Sequence, residues 1–227
     1  MSGDGAPVHA STIAERADGV RDRIAAAGGD PAAVTLVAVT KGFGPELAAA
    51  AAAAGLTDLG ENYAQELVAK VATVEAAGHD VRWHFLGNLQ RNKVRALAPH
   101  VALWQSVDRA SLGAEIAKRA PGAAVLVQVN LSGEEQKGGC RRDEAPALVE
   151  DLVSAGLEVR GLMGVAPAGP PDDAREGFRW LRSTVDHLGL TVCSMGMSGD
   201  LEVAVQEGST MVRVGTGLFG ARPPRGP

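Results

Sequence analysis

Apolar residues along this chain follow two alternating patterns. Short continuous runs such as Val34–Thr40 and Ala123–Asn130 are typical of strands buried on both faces. The segments between such runs repeat apolar residues every three or four positions, as amphipathic helices do. In the first of these segments, Thr12 and Glu15 have the spacing of a capping box. The pattern predicts strands at 34–40, 57–60, 81–86, 101–107, 123–130, 157–163, 191–194 and 211–214, and helices at 12–27, 45–54, 62–77, 90–98, 108–120, 143–155, 173–188 and 201–207.

Strands that alternate with helices along the whole chain favour one closed (β/α)8 barrel over residues 11–222. An open doubly wound sheet is the alternative architecture. After the eighth strand only Gly215–Pro227 remains, which is too short and too rich in proline for a full outer helix. We therefore expect the extra N-terminal helix to cover the seam between strands eight and one. Residues 1–10 and 223–227 are predicted to form a disordered leader and tail.

The composition narrows the class of protein. A hydrophobic fraction of 45% and a charged fraction of 22% in 227 residues are ordinary for one globular domain. A net charge of −5 and an aromatic content of 4% argue against a nucleic-acid partner. No apolar stretch approaches the roughly 18 residues of a membrane span, and we expect no signal peptide. Cys140 and Cys193 lie far apart in the sequence and predict free thiols in a reducing compartment, so we expect a cytoplasmic protein without a membrane partner.

The first candidate functional residue is Lys41, which directly follows the first strand. Parallel α/β folds place their active sites at the carboxyl ends of the strands. Partial burial there would lower the pKa of a lysine from its ordinary value of about 10.4. A neutral amine is the form that condenses with an aldehyde. The alternative is a solvated lysine that opens a loop, and position alone leaves both interpretations open.

Turns that contain glycine and hydroxyl groups follow strands seven and eight, at Met195–Ser198 and Gly215–Gly217. Barrels commonly bind phosphate at these two turns, although glycines also close tight turns for structural reasons alone. Gly215–Gly220 matches a dinucleotide fingerprint, but we reject it because no second strand or acidic residue follows. No histidine, cysteine or carboxylate spacing predicts a metal site. His84, inside a strand, is expected to be a hydrogen-bonded core residue.

Six stretches spread in order over nearly the whole chain carry a family resemblance. Together they make the chain resemble the pyridoxal phosphate homeostasis proteins, which are small single-domain relatives of the alanine racemase barrel. The resemblance implies a protein of vitamin B6 homeostasis that holds pyridoxal 5′-phosphate and delivers it, without efficient catalysis of its own. The matching stretches are LVAVTK (36–41), GENYAQE (60–66), WHFLGNLQRNK (83–93), QVNLSGEEQKGG (128–139), GLM (161–163) and SMGMSGDLEVAVQEGSTMVRVGTGLFGAR (194–222).

The same resemblance implies a binding site. It places Arg213 at the pyridine nitrogen of the cofactor. Because a guanidinium donates hydrogen bonds and keeps its proton, Arg213 would leave that nitrogen unprotonated, which makes the cofactor a weak electron sink. Lys137 matches another lysine of the family, and its role stays open because serines common in that loop are here Gln136 and Gly138. The implied site consists of Lys41 as the Schiff-base lysine, Ser198, Gly215 and Thr216 at the phosphate, Met197 beside it, Asn62 near the ring, and Arg213 at the pyridine nitrogen.

Two functions then compete. One is a non-catalytic carrier, whose partners are pyridoxal phosphate and, transiently, the apo-enzymes that receive it. The other is an amino-acid racemase that uses the same cofactor. Racemases of this fold add a β-rich domain with a tyrosine acting opposite the lysine, and we expect no such domain here, where Tyr63 is the only tyrosine. A barrel enzyme that binds phosphate without this cofactor is a third alternative. A closed barrel exposes no sheet edge, so we expect a monomer.

Overall fold

Eight parallel strands form one closed barrel in the computed structural model, which describes residues 9–134 and 138–222. The strands are β1 Thr35–Val39, β2 Asp58–Glu61, β3 Arg82–Phe85, β4 Val101–Val107, β5 Ala124–Asn130, β6 Glu158–Val165, β7 Val192–Ser194 and β8 Met211–Val214. The helices are α1 Ala10–Ala26, α2 Pro45–Ala53, α3 Ala64–Ala76, α4 Arg91–Leu97, α5 Ala110–Arg119, α6 Ala145–Ser154, α7 Arg175–His187, α8 Leu201–Gln206 and α9 Thr216–Phe219. Each strand pairs with the next, and β8 returns to pair with β1. The predicted (β/α)8 barrel is confirmed, and the open sheet is excluded.

The extra N-terminal helix takes the place of an outer helix after the last strand. α1 packs against α2, α8 and α9, so it lies over the seam where β8 meets β1, as predicted. A stripe of Ile13, Ala17, Val20 and Ile24 faces the barrel and is fully buried. Arg16 donates a hydrogen bond to the carbonyl oxygen of Leu218 over 2.9 Å and ties α1 to the end of the barrel.

Several helices begin one or two residues away from their predicted starts, and two of these differences bear on specific predictions. α1 begins at Ala10, and its N-cap residue makes no side-chain hydrogen bond, so the predicted capping box at Thr12 is wrong. Thr12 is the third residue of α1 and so lies inside its first turn. α3 begins at Ala64, which leaves Asn62 in the loop between β2 and the helix. Of the predicted disordered leader, His9 and Ala10 are described and form the N-cap and the first residue of α1, so the leader prediction is wrong for these two residues. Residues 1–8 and the predicted tail 223–227 lie outside the described part of the chain.

The barrel interior holds both apolar and polar side chains. A small inner core consists of Val37, Leu103, Ala124, Leu126, Met163 and Met211. Beside it, His84 is buried and bonded on both ring nitrogens, 3.0 Å from an oxygen of Asp58 and 2.7 Å from the amide nitrogen of Gln105. This confirms the prediction of a hydrogen-bonded core histidine.

Cys140 and Cys193 are both free thiols, and both are buried. Burial raises the pKa of Cys193 to about 12, so its thiol stays protonated at neutral pH. Within the described residues, no helix is both long enough and apolar enough to cross a membrane. Across residues 9–134 and 138–222, we find no group of three metal-ligating side chains.

Candidate functional site

A cavity of about 340 Å³ opens at the carboxyl ends of the strands. It brings together the site residues implied by the family resemblance, which come from four different strand ends. These residues are Lys41, Asn62, Met197, Ser198, Arg213, Gly215 and Thr216. The remaining lining residues are Val39, Phe43, Leu86, Met163, Val165, Gly199 and Arg222. Lys137 lies outside the described residues.

Lys41 lies in the loop directly after β1 and is partly buried. Burial lowers its pKa below the ordinary value for lysine. The positive charge of Arg222 lowers this pKa further, Glu61 opposes the shift, and Arg213 adds a smaller lowering effect. The direction agrees with the sequence-based expectation for a lysine at a buried strand end. Arg222 was missed as a site residue, although it closes the last matching stretch of the sequence.

A second lysine, Lys70 on α3, is almost completely buried beneath this loop. Its ammonium group lies 2.5 Å from a carboxylate oxygen of Glu61 and 3.1 Å from one of Glu66. It also donates a hydrogen bond to the backbone carbonyl oxygen of Thr40 over 2.8 Å. A buried cation requires this kind of paired and hydrogen-bonded setting. The spacing of Glu66 and Lys70 on one helix face was the available sequence signal for the pair.

The Glu66–Lys70 pair holds the backbone on both sides of Lys41. Glu66 accepts a hydrogen bond from the amide N–H of Gly42 over 2.9 Å, while Lys70 binds the carbonyl of Thr40. Both contacts come from neighbouring turns of α3, which packs on the outside of the barrel. The helix thereby limits the movement of the peptide units that carry Lys41.

Two hydroxyl groups mark another part of the cavity wall. Thr216 and Ser198 have their side-chain oxygens 3.3 Å apart, and the amide N–H of Gly217 donates to the Ser198 oxygen over 3.2 Å. The Ser198 loop is anchored from outside by Arg23 of α1, which donates to the Ser198 carbonyl over 3.0 Å. Arg23 also forms an ion pair with Glu202 at 2.6 Å. The N-terminal helix therefore supports this part of the site as well as covering the barrel seam.

Arg213 enters the cavity from β8 and is buried. Its guanidinium donates to the hydroxyl of Ser194 over 2.7 Å and to the carbonyl of Gly164 over 2.8 Å. Burial lowers the pKa of Arg213 to about 10, so the group remains a cation at neutral pH. Among the described residues, three cations and no carboxylate line the cavity. The cavity is thus suited electrostatically to an anion.

Asn62 contributes an unsatisfied acceptor to the same wall. Its side-chain oxygen is buried and has no hydrogen-bond partner within the described structure. The Asn62 backbone packs so closely on the neighbouring loop that only glycine fits at position 87, because a Cβ atom there would lie 1.9 Å from the Asn62 carbonyl oxygen. A buried acceptor without a partner costs stability. A ligand that donates a hydrogen bond at this point would remove that cost.

Comparison with known proteins first defines the class. The family model described as "Alanine racemase, N-terminal domain" matches residues 8–223, and the (β/α)8 barrel spans the matched residues. The chain is 42% identical to a pyridoxal phosphate homeostasis protein of Pseudomonas aeruginosa, with 94% of this chain and 95% of the relative aligned. It is 37% identical to the protein of that name from Escherichia coli K12, over 92% of this chain and 97% of the relative. The chain belongs to the pyridoxal phosphate homeostasis protein family, as its sequence motifs implied.

A solved structure supports the same grouping. PipY of Synechococcus elongatus, whose structure was determined with pyridoxal phosphate bound, superposes with a TM-score of 0.77 at 32% sequence identity. The alignment covers 88% of this chain and all of PipY. The likeness therefore extends over the barrel as a whole.

Proposed function

We propose that this protein binds pyridoxal 5′-phosphate in the cavity, holds it covalently through Lys41 and passes it to apo-enzymes. One observation carries the proposal: a partly buried lysine with a lowered pKa shares a cavity with two arginines and, among the described residues, with no carboxylate. A phosphorylated aldehyde is the ligand class that needs both an amine nucleophile and a cationic setting. The names of the relatives and the cofactor bound to PipY support the choice of this aldehyde.

The residues present fit the cofactor in three respects. Ser198 and Thr216 supply hydroxyl donors for a phosphate, next to the backbone of Gly215. The unpartnered oxygen of Asn62 is an acceptor for a polar hydrogen of the ligand. Apolar side chains, among them Met197 at the rim, line the remaining wall, as an aromatic ring requires.

The arrangement favours a carrier over a racemase. Pyridoxal phosphate supplies an aldehyde that captures amines and, when its ring nitrogen is protonated, a strong electron sink. Arg213 can only donate hydrogen bonds and so provides no proton acceptor partner for a protonated ring nitrogen. Lys41 is the one lysine, histidine, cysteine or tyrosine side chain that lines the cavity within the described residues, and Tyr63 lies outside its lining. Racemisation requires a second base on the opposite face.

We infer that the carrier acts as a monomer in the cytoplasm. The closed barrel leaves no strand edge for a partner to extend, which supports a monomer. The two free, buried thiols support a reducing compartment. Sedimentation equilibrium of the loaded protein measures the mass directly, and a dimer at micromolar concentration would contradict the proposed monomer.

The test of the central assignment is covalent trapping. Purified protein is incubated with pyridoxal phosphate, its visible absorption spectrum is recorded, and borohydride reduction is followed by peptide mass mapping. We expect the label on Lys41, and we expect Lys41→Ala to lose the visible absorption while keeping its far-ultraviolet circular dichroism. Lys93→Ala is the matched control, because Lys93 is a partly buried lysine outside the cavity lining. A label found chiefly on another lysine would overturn the role of Lys41.

A further inference from the structure

Arg213 is the first member of a continuous chain of buried hydrogen bonds. Its guanidinium donates to the hydroxyl of Ser194 on β7 over 2.7 Å. The Ser194 hydroxyl in turn lies 2.7 Å from the side-chain oxygen of Gln105 on β4, across the barrel interior. Ser194 and Gln105 are both fully buried. The cavity is therefore connected to the inside of the barrel by polar contacts.

The chain continues from Gln105 to the opposite end of the barrel. The amide nitrogen of Gln105 lies 2.7 Å from Nδ1 of His84, and Nε2 of His84 lies 3.0 Å from a carboxylate oxygen of Asp58. Asp58 opens β2 and also accepts two hydrogen bonds from the exposed side chain of Arg82. Burial by itself would raise the pKa of Asp58, but the bonds from His84 and Arg82 outweigh it and hold that pKa well below its ordinary value.

The chemistry of the two ends, taken together with a neutral His84 ring, gives one direction for every bond between them. An ionised carboxylate only accepts, so His84 donates to Asp58 from Nε2, and a neutral ring then accepts at Nδ1. Gln105 must donate to that acceptor through its amide nitrogen, which leaves its oxygen to accept from Ser194. Arginine only donates, so the Ser194 oxygen accepts from Arg213, and the hydroxyl hydrogen of Ser194 can be donated to the Gln105 oxygen. The Arg213 end is compatible with the orientation that a neutral His84 ring sets at the Asp58 end.

Met211 reinforces this orientation. The amide nitrogen of Gln105 also donates to the sulfur of Met211 over 3.1 Å, so both amide hydrogens have acceptors. A rotated Gln105 amide would place its oxygen against two acceptors and its nitrogen against the hydrogen of Ser194. The barrel interior around the chain is otherwise apolar, which makes such a mismatch costly.

We propose that Ser194, Gln105 and His84 are positioning residues that hold the Arg213 guanidinium in one orientation toward the cavity. The geometry supports this because only two of the five guanidinium N–H groups have acceptors within the described structure, at Ser194 and Gly164. Arg213 is itself part of the cavity lining, where a bound anion would accept from the remaining N–H groups. An apolar set of side chains would fill the same interior without the desolvation cost of five polar groups. The benefit for the cofactor rests on the proposed function, whereas the positioning itself is a property of the unloaded protein.

The first test uses the unaltered, unloaded protein. In protein labelled with 15N-histidine, the ring signals that are missing from a His84→Gln variant report on this residue. We expect the pattern of a neutral ring that carries its proton on Nε2. A ring protonated on Nδ1, alone or together with Nε2, would reverse the bond to Gln105 and overturn the proposal.

The second test compares two buried hydroxyls. Ser194→Ala breaks the chain, whereas Ser209→Ala removes another buried hydroxyl that donates only to backbone carbonyls. In unloaded protein labelled with 15N-arginine, we expect Ser194→Ala and Gln105→Met to broaden or shift the Arg213 side-chain signals, and we expect Ser209→Ala to leave them unchanged. Ser194→Thr, which keeps the hydroxyl, should restore the signals.

The loaded protein gives a third readout. The Kd for pyridoxal phosphate should rise about two- to tenfold in Ser194→Ala, the effect of losing one hydrogen bond, and stay near the parent value in Ser209→Ala. Unchanged Arg213 signals and an unchanged Kd in Ser194→Ala would refute the positioning role while the proposed function stands. A parent protein that fails to bind pyridoxal phosphate would refute the proposed function, and the arginine and histidine signals would still decide the positioning role.

Discussion

Replacing Lys70 with methionine tests how strongly the buried pair beneath Lys41 stabilises the fold. Methionine keeps the length and the apolar stem of the side chain but removes the ammonium group. In the parent protein that group lies 2.5 Å from Glu61 and 2.8 Å from the carbonyl of Thr40, and both side chains of the ion pair are at most 1% exposed. The substitution therefore leaves a carboxylate buried without its cation.

The expected magnitude follows from this burial. Removing one partner of a buried ion pair typically costs about 3–5 kcal/mol, because the remaining charge is desolvated without compensation. That is a large part of the roughly 5–15 kcal/mol that stabilises an ordinary domain. Adding Glu61→Gln to Lys70→Met removes the stranded charge, while the amide oxygen can still accept from the N–H of Asn62, which lies 2.7 Å from Glu61 in the parent. We expect the double variant to be more stable than Lys70→Met alone.

Urea unfolding followed by circular dichroism measures these free energies. Lys118→Met is the control, since Lys118 is exposed on α5 and its loss should change stability by less than about 0.5 kcal/mol. A loss below about 1 kcal/mol in Lys70→Met would refute the reasoning, because it would mean that the pair contributes no more than a surface contact. So would a double variant that is less stable than Lys70→Met, because the cost would then not arise from the uncompensated Glu61 charge.

Three further predictions concern the cavity. Ser198→Ala and Thr216→Val should each weaken pyridoxal phosphate binding by about 1.5–3 kcal/mol, which titration would measure as a roughly ten- to hundredfold rise in Kd. Pyridoxal without phosphate should bind poorly to the parent protein, and equal binding of pyridoxal and pyridoxal phosphate would exclude a phosphate site. Arg222→Gln removes a positive neighbour of Lys41 and should therefore raise the pKa of Lys41. The pH profile of covalent loading, followed by absorbance, should then move to higher pH, and an unmoved profile would contradict the effect of Arg222 on this pKa. Finally, loaded protein incubated with L-alanine in deuterated water should show no enzyme-like deuterium uptake at Cα, since loss of one base alone costs a factor of about 10²–10⁴. Rapid uptake with D-isomer formation, abolished by Lys41→Ala, would instead establish a racemase.

The local sequence was enough to predict the barrel and the face on which the candidate site residues meet. Continuous apolar runs mark strands buried on both faces, and their alternation with helices restricts the topology to a parallel sheet. Because parallel strands end on one side, Lys41 and the turns at Ser198 and Thr216 were expected to share a face, and they line one cavity. Motifs of the family added Asn62 and Arg213 to the same set.

Contacts between distant segments were decided only by the tertiary structure. The bonds of Lys70 to the Thr40 carbonyl and of Arg23 to the Ser198 carbonyl join residues 30 and 175 positions apart, and neither contact leaves a local pattern. Gln105 gave no sequence signal, since it looks like one polar residue in a strand and becomes part of a chain only where β4 faces β7. Hydrophobic periodicity records which face of an element is buried. It does not record which polar groups meet inside the closed barrel, because those partners are set by strand register and by the packing of side chains across the barrel axis.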